Sequence, residues 1–259
     1  MLALRTVIFD VDGTLVDSER DGHRVAFNQA FAEFSLPDRW DEETYGRLLA
    51  ITGGQRRLHA YLSERGVGSA ERDHLVPRLH ARKTELFVAM AEAGEVPARP
   101  GTLRLLDELA AAGVTVAVAT TGTRAWVAPL LDRLFGLSRF AAVVTGDACP
   151  RRKPEPDAYL ATLRALGAAP GTTVAVEDCD NGVRAGRAAG LPVAAVSNDY
   201  TATQELDGAA VVLDGFGTPE RPAVVRRDAY GVLDGGVLTA AALDRLSSAS
   251  RRSTPAVHQ

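Results

Sequence analysis

The sequence predicts an α/β fold, a parallel sheet with an all-helical insert after its first strand, and two observations carry that prediction. From Arg99-Pro100-Gly101 onward, helical and strand-like stretches alternate, the pattern of right-handed crossovers in a doubly wound sheet. Between residues 20 and 95 there is no convincing strand, although an apolar strand-like run precedes that region. The first strand must therefore join the sheet across the helical segment.

In chain order, Val7-Ile8-Phe9 is a short run of β-formers that reads as a buried strand. After Asp17-Ser18-Glu19 the periodicity turns helical, with Val25, Ala26, Phe27, Ala30, Phe31 and Phe34 on one face as core. Further helices are expected over Glu42 to Leu49, Gln55 to Glu64 and Glu71 to Met90, separated by Leu36-Pro37, Thr52-Gly53-Gly54 and Gly66-Val67-Gly68. The alternating part predicts helix Thr102 to Ala112, strand Val114 to Ala119, helix Ala125 to Phe135 and strand Ala141 to Thr145. Helix Pro156 to Leu166, strand Thr173 to Glu177, helix Gly182 to Ala189 and strand Pro192 to Val196 follow. These boundaries divide the chain into a discontinuous core of residues 1–17 and 97–246 and a helical cap of residues 18–96. Beyond Val211-Val212-Leu213 the pattern weakens, and the Ser- and Arg-rich segment 247–259 reads as a mobile tail.

Composition bounds the function. The 259 residues, 46% hydrophobic and 24% charged, are those of a globular protein with room for a large core. A formal charge of −4 gives no basic field, which argues against nucleic acid or an anionic membrane as principal partner. Two cysteines cannot build a disulfide framework, no signal-like segment precedes the first strand, and no apolar run has the length of a membrane span. These features predict a cytoplasmic protein, a monomer with a dimer left open.

The chemistry gathers at predicted strand ends, where ligands bind in open parallel sheets. Asp10 and Asp12 follow the first strand with period-two spacing, and Gly13 lets backbone approach a ligand; alone, Asp-x-Asp-Gly-Thr also reads as an ordinary turn. The second core strand ends in Thr120-Thr121-Gly122-Thr123, hydroxyls and amides ahead of a helix that suit an anion, or a plain turn capped by Thr123. Lys153, fixed among prolines, could place a point charge on a phosphoryl group, whereas Arg151 and Arg152 read as solvated surface charges. Val174-Ala175-Val176-Glu177-Asp178 repeats the first motif, so Glu177 and Asp178 can converge on Asp10 and Asp12. Carboxylates so close repel unless a cation intervenes, and an all-oxygen set suits Mg²⁺. The histidines are too scattered to indicate another metal.

Asp10-Val11-Asp12-Gly13-Thr14, Thr120, Lys153-Pro154 and Glu177-Asp178 together resemble the motifs of the haloacid dehalogenase superfamily of phosphohydrolases, in order, over residues 6–213. The insert is similar to that of the CbbY-like subfamily, which includes phosphatases of xylulose-1,5-bisphosphate; the shared stretches are Asp17 to Arg24, Phe27-Asn28, Tyr45, Thr52-Gly53-Gly54 and Lys83 to Phe87. Gln55 stands where that subfamily's Gly-Gly-Lys-x-Arg segment has lysine, while Arg57 keeps the arginine.

The resemblance implies a Rossmann-like core with a helical cap and an aspartyl-phosphate mechanism. Asp10 would be the nucleophile and Asp12 the acid and base, with Thr120 and Lys153 holding the phosphoryl oxygens beside backbone at Thr121. Mg²⁺ would be held by Asp10 and Asp178 carboxylates and the Asp12 carbonyl, with Glu177 close by. In the cap, Glu19 would take sugar hydroxyls, Gly54 would face substrate, and Arg57 and Lys83 would hold a distal phosphate. The reaction it implies is hydrolysis of a small phosphorylated molecule, a sugar phosphate or bisphosphate. A β-phosphoglucomutase-like phosphomutase and a phosphoglycolate phosphatase are alternatives within enzymes, and a catalytically silent binding protein is the alternative outside them. Neither a Gly-x-Ser-x-Gly elbow nor a Gly-x-x-x-x-Gly-Lys loop is present.

Overall fold

The structure, a computed structural model, describes residues 2–253. Seven strands form one sheet in the order β3-β2-β1-β4-β5-β6-β7. They are β1 (Thr6–Phe9), β2 (Thr115–Ala119), β3 (Ala142–Val144), β4 (Thr173–Glu177), β5 (Val193–Val196), β6 (Val211–Leu213) and β7 (Val225–Asp228). All pairings are parallel except β6 with β7. β1 lies in the middle, paired to β2 on one side and to β4 on the other, and all four of its residues are buried. That burial on both faces is why Val7, Ile8 and Phe9 are apolar in succession instead of alternating with polar residues.

The pleat sends side chains to two different cores. Val7, Phe9, Val116, Val118, Val174 and Val176 enter a layer that includes Leu105, Leu109 and Leu130, while Ile8, Ala117 and Ala175 meet Tyr159, Leu163 and Val183 on the other face. The first layer is covered by α5 (Thr102–Ala111) and α6 (Arg124–Phe135), the second by α7 (Asp157–Leu166) and α8 (Asp180–Ala188).

Between β1 and β2 lie α1 (Arg24–Glu33), α2 (Glu42–Leu48), α3 (Gly54–Glu64) and α4 (Ser69–Ala93), entered through a π-helical turn at Glu19–His23. They have their own core, in which the fully buried Trp40 ring lies 4.6 Å from Phe27, 5.0 Å from Phe31 and 5.2 Å from Tyr61. The phenylalanine stripe of α1 thus builds a core separate from the sheet. The two connections to the sheet run side by side, with Val16 bridged to Ala98 and the Asp17 amide on the Pro97 carbonyl at 3.1 Å.

The C-terminal region corrects the sequence reading. A seventh strand and α9 (Ala240–Ser253) follow β6, and Ser247, placed in a mobile tail by composition, is 1% exposed inside that helix. Ala242, Leu243, Leu246 and Ala249 recur at helical spacing and are buried, the first three in the core layer of the sheet, a stripe that the intervening serines and arginines diluted in the sequence. Arg251 anchors the last turn on the Gly171 carbonyl at 2.7 Å. The remainder of the expected tail, 254–259, lies outside the described residues. No helix among the described residues is long and apolar enough to cross a membrane.

Candidate active site

The C-terminal ends of β1, β2 and β4 open on a cleft of about 400 Å³ shared with the helical insert. After β1 the ladder continues one step further, since the Asp10 amide donates to the Val176 carbonyl at 3.0 Å. The chain then turns, and Gly13 adopts φ +74° at a point where a Cβ would stand 2.5 Å from both Asn198 Nδ2 and Asp178 Oδ2. Only glycine supplies that backbone without a collision.

Lys153 enters from the loop before α7. Its Nζ lies 2.6 Å from Asp10 Oδ1, 2.6 Å from Glu177 Oε1 and 2.9 Å from the Ala119 carbonyl, so its three donors are matched to three acceptors. Tyr159 donates its hydroxyl to the same Glu177 oxygen. The other Glu177 oxygen is buried without a partner among the described residues and packs on Gly182, where any side chain would collide with it. Asp178 accepts from Asn198 Nδ2 at 2.7 Å.

Electrostatics divide these groups. Burial raises the Asp10 carboxyl well above the ordinary carboxylate range, more than Lys153 lowers it, and Glu177, Asp178 and Asp12 add to the rise. Burial and then Glu177 push Asp178 up to about 7 against the pull of Arg99. Burial draws the Lys153 ammonium down, but Asp10 and Glu177 outweigh it and hold the proton on. Asp10 and Glu177 therefore share one ammonium beside Asp178, whose nearest opposing charge is Arg99, and a bound cation would offset the crowding of carboxyl groups. Among the described residues, Glu177, Asp178 and Cys179 offer donor atoms within 4.8 Å of one another, and Asp10 joins them through Lys153. Carboxylates without an imidazole fit Mg²⁺, and the thiol is the one donor of the group that a hard cation does not favour.

Asp12 is held differently. Ser18 Oγ donates to its Oδ1 at 2.5 Å and His23 Nε2 lies 2.9 Å from the same oxygen. Lys83 Nζ lies 2.8 Å from His23 Nδ1, and because an ammonium only donates, Nδ1 is the acceptor and Nε2 carries the hydrogen given to Asp12. Burial pushes the Asp12 carboxyl up, yet His23, Ser18 and Lys83 together outweigh it and hold it below the usual value. Two carboxyl groups two residues apart thus sit in different settings: Asp10 is raised by burial and neighbouring carboxyls, whose charge a bound cation would offset, whereas Asp12 is held by hydrogen bonds from the hinge and the insert.

The other expected residues fall as follows. Thr120 is buried, with its Oγ1 accepting from the Gly122 amide at 3.0 Å, and Thr121 lines the cleft. Thr123 precedes α6, but its side chain makes no cap bond; Asp147 Oδ1 instead accepts from the Arg124 amide. Glu19 lines the cleft and accepts from the Tyr45 hydroxyl at 2.5 Å. Gly54 opens α3 beside a second cavity. Arg57 and Lys83 face the cavities but are 8% and 6% exposed; Arg57 donates from Nε to the Leu48 carbonyl and from Nη1 to the Tyr45 hydroxyl, and Lys83 gives one of its three donors to His23. Arg152, taken from sequence as a solvated charge, is half-buried and donates to the Thr121 carbonyl at 2.6 Å, whereas Arg151 is exposed and paired with Glu155 and Asp157. Sequence reasoning missed Ser18, His23, Tyr159 and Asn198. It also missed Arg99, whose guanidinium is buried among the carbonyls of Gly13, Val196 and Ser197 at 2.5, 2.7 and 2.6 Å. The His23–Lys83 contact spans 60 positions, so nothing local announced it.

Comparison with known proteins agrees with this geometry. Residues 4–190 match the family model of haloacid dehalogenase-like hydrolases. The chain is 40% identical over 225 residues to protein CbbY of Cupriavidus necator, covering 85% of this chain and 88% of that protein. It is 34% identical over 218 residues to a phosphoglycolate phosphatase of Agrobacterium fabrum, covering 81% and 88%. Its fold is similar to the crystal structure of CbbY from Rhodobacter sphaeroides in complex with phosphate, with TM-score 0.75, 38% identity, and 83% of this chain and 95% of that one covered. A mutant of that protein in complex with xylulose-(1,5)bisphosphate matches with TM-score 0.74 and 36% identity over the same shares.

Proposed function

The chain belongs to the haloacid dehalogenase-like hydrolases, and on that premise we propose that it is a Mg²⁺-dependent phosphatase of a small sugar bisphosphate, with xylulose-1,5-bisphosphate as its substrate. The observation that carries this reading is the unequal pair at the end of β1. The Asp10 carboxylate is aligned by Lys153, while Asp12, two residues on, is aligned by Ser18 and His23 from the hinge and the insert.

In this reading Asp10 attacks the phosphorus and the bond to the ester oxygen breaks, giving an aspartyl-phosphate and an alcohol. Asp12 donates the proton that the leaving oxygen needs, then takes one from the water that attacks the same phosphorus and releases inorganic phosphate. Lys153 and the hydroxyl and amides around Thr120 and Thr121 hold the equatorial oxygens. Asp10, Asp178 and the Asp12 carbonyl would hold Mg²⁺, with Glu177 behind them; when bound, the ion neutralises charge on the transferring group. Tyr159 and Asn198 keep Glu177 and Asp178 in place.

Residues 18–96 act as a cap over a core of 1–17 and 97–253, extended from 246 because α9 belongs to the sheet layer. Contacts across the cleft support a closed arrangement: Asn181 Nδ2 to Thr52 Oγ1 at 3.2 Å, Arg20 to Asp199 at 2.8 Å, and Tyr200 against Tyr45 with ring centroids 5.9 Å apart. Closure shields the first step from bulk water.

The test is phosphate release from xylulose-1,5-bisphosphate, sugar monophosphates and p-nitrophenyl phosphate, with and without Mg²⁺. Wild type is expected to turn over the bisphosphate best, and Asp10→Asn to lose turnover of all of them. Wild-type protein that releases phosphate from none of these with Mg²⁺ present would sink the enzymatic reading.

A further inference from the structure

The loop of residues 120–123, whose hydroxyl and amides hold the phosphoryl oxygens in the reading above, is gripped from two sides. On one side Gly146 packs so closely that a Cβ there would stand 2.3 Å from the Thr121 carbonyl oxygen, and its amide donates to the Gly122 carbonyl at 2.7 Å. On the other side lies Trp126, the third residue of α6 and 6% exposed. A Cβ on Gly122 would stand 2.2 Å from Cζ2 and 3.0 Å from Cε2 of the indole, and 2.9 Å from Cγ2 of Val127. Gly122 does not occupy the left-handed region, so what excludes a side chain there is chiefly the indole. Within the loop the Gly122 amide donates to Thr120 Oγ1 at 3.0 Å, and the placement of Gly122 therefore sets that of the hydroxyl.

The same ring reaches the insert. It meets His23 edge-on, with centroids 5.1 Å apart and planes at 83°, and Phe87 of α4 at 5.2 Å and 85°. Perpendicular pairs at these distances are a favourable aromatic geometry. His23 and Phe87 in turn lie 3.9 Å apart, so rings from the entry turn, from α4 and from the core pack as one cluster. His23 is also the residue bonded to Asp12 Oδ1. The indole N–H has no hydrogen-bond partner among the described residues, and packing alone places the ring.

We propose that Trp126 is a positioning residue for phosphoryl transfer, setting the loop of residues 120–123 and the His23 ring in register so that phosphate and Asp12 meet correctly in the closed cleft. A small residue at 126 would leave Gly122 without its outer support and His23 without one of its walls, and reacting groups misplaced by about 1 Å lose rate steeply. The role rests on the reading of the chain as a phosphatase and is independent of which ester it hydrolyses. A fault at Trp126 acts on the transferring group, so a bisphosphate and an aryl phosphate should feel it alike.

The experiment measures kcat and KM for xylulose-1,5-bisphosphate and p-nitrophenyl phosphate with Mg²⁺, and the affinity for inorganic phosphate by calorimetry. Trp126→Ala is expected to lower kcat about tenfold to a hundredfold on both esters and to weaken phosphate about tenfold, with Trp126→Phe recovering part of each. Adding Trp126→Ala to His23→Ala should cost less than adding it to wild type, because part of its effect passes through His23. Gly122→Ala tests the same contact without opening a cavity: it should lower kcat, and Gly122→Ala with Trp126→Phe should regain activity, since the smaller ring admits the methyl. A kcat and a phosphate affinity within twofold of wild type in Trp126→Ala overturn the role. Losses additive with His23→Ala overturn the link to the insert, and no regain in the Gly122→Ala, Trp126→Phe pair overturns the link to the loop. Wild-type protein that hydrolyses neither ester sinks the phosphatase reading, while the phosphate affinities still decide whether Trp126 sets the loop.

Discussion

His23→Ala isolates what the insert contributes to chemistry. The substitution removes one of the two hydrogen bonds on Asp12 Oδ1 and strips Lys83 of its acceptor, leaving Ser18 alone on the carboxylate. A hydrogen bond to a charged group contributes about 1.5–3 kcal/mol. If that alignment is needed in the transition state, kcat falls about 10- to 150-fold, since roughly 1.4 kcal/mol is a factor of ten. The sign of the pH effect follows from the balance at Asp12, where burial raises the carboxyl and His23 is the largest influence opposing it. Without the ring the carboxyl rises, so the acid limb of kcat, where the base must be ionised to take a proton from water, moves to higher pH. The assay is steady-state phosphate release at saturating bisphosphate and Mg²⁺ from pH 4 to 8. His23 also packs 3.9 Å from Phe87 and 5.1 Å from Trp126, so Ser18→Ala, which leaves that packing alone, must shift the limb in the same direction. A kcat within threefold of wild type and an unmoved limb in both variants would refute the alignment of Asp12 by the hinge.

Three further outcomes are expected. In EDTA the protein should be less stable at pH 8 than at pH 5, because a carboxyl raised in the folded state, as Asp178 is to about 7, stabilises below its unfolded value and loses that contribution as pH rises through the folded one. Mg²⁺ should therefore raise Tm more at pH 8 than at pH 5, and an equal gain at both would count against a cation among these carboxylates. Arg99→Met leaves the carbonyls of Gly13, Val196 and Ser197 without their donor, a loss of about 3–5 kcal/mol that lowers Tm by roughly 6–20 °C in a melting experiment; a drop under about 3 °C would show the staple to be dispensable. Tyr200→Ala removes the ring that meets Tyr45 and Gly46 across the cleft, and KM for the bisphosphate should rise about 2- to 12-fold with kcat nearly unchanged, whereas a loss confined to kcat would deny it a part in closure.

What could be read from the sequence and what could not follow one physical division. The parallel core was legible because its strands are buried on both faces and written as short apolar runs, and because Asp10, Asp12, Glu177 and Asp178 sit at the ends of those runs, where the strand order delivers them to one edge. α9 was not legible because its apolar stripe is thin and interleaved with serine, so periodicity lost to composition. The surroundings of the cap residues were hidden for a different reason. Arg57 and Lys83 were expected at the substrate from the resemblance of the insert, but neither that nor their charge reveals what their side chains pack against. Packing decides that: Lys83 is drawn into the insert by His23 and two phenylalanine rings, while Arg152, dismissed as one of a run of surface charges, is turned into the cleft by a single carbonyl. Both choices depend on partners distant in sequence, His23 for Lys83 and Thr121 for Arg152, and those partners meet only once the insert lies over the sheet. Selectivity in such a molecule is therefore a property of the closed cleft, whereas the reaction is already written at the strand ends.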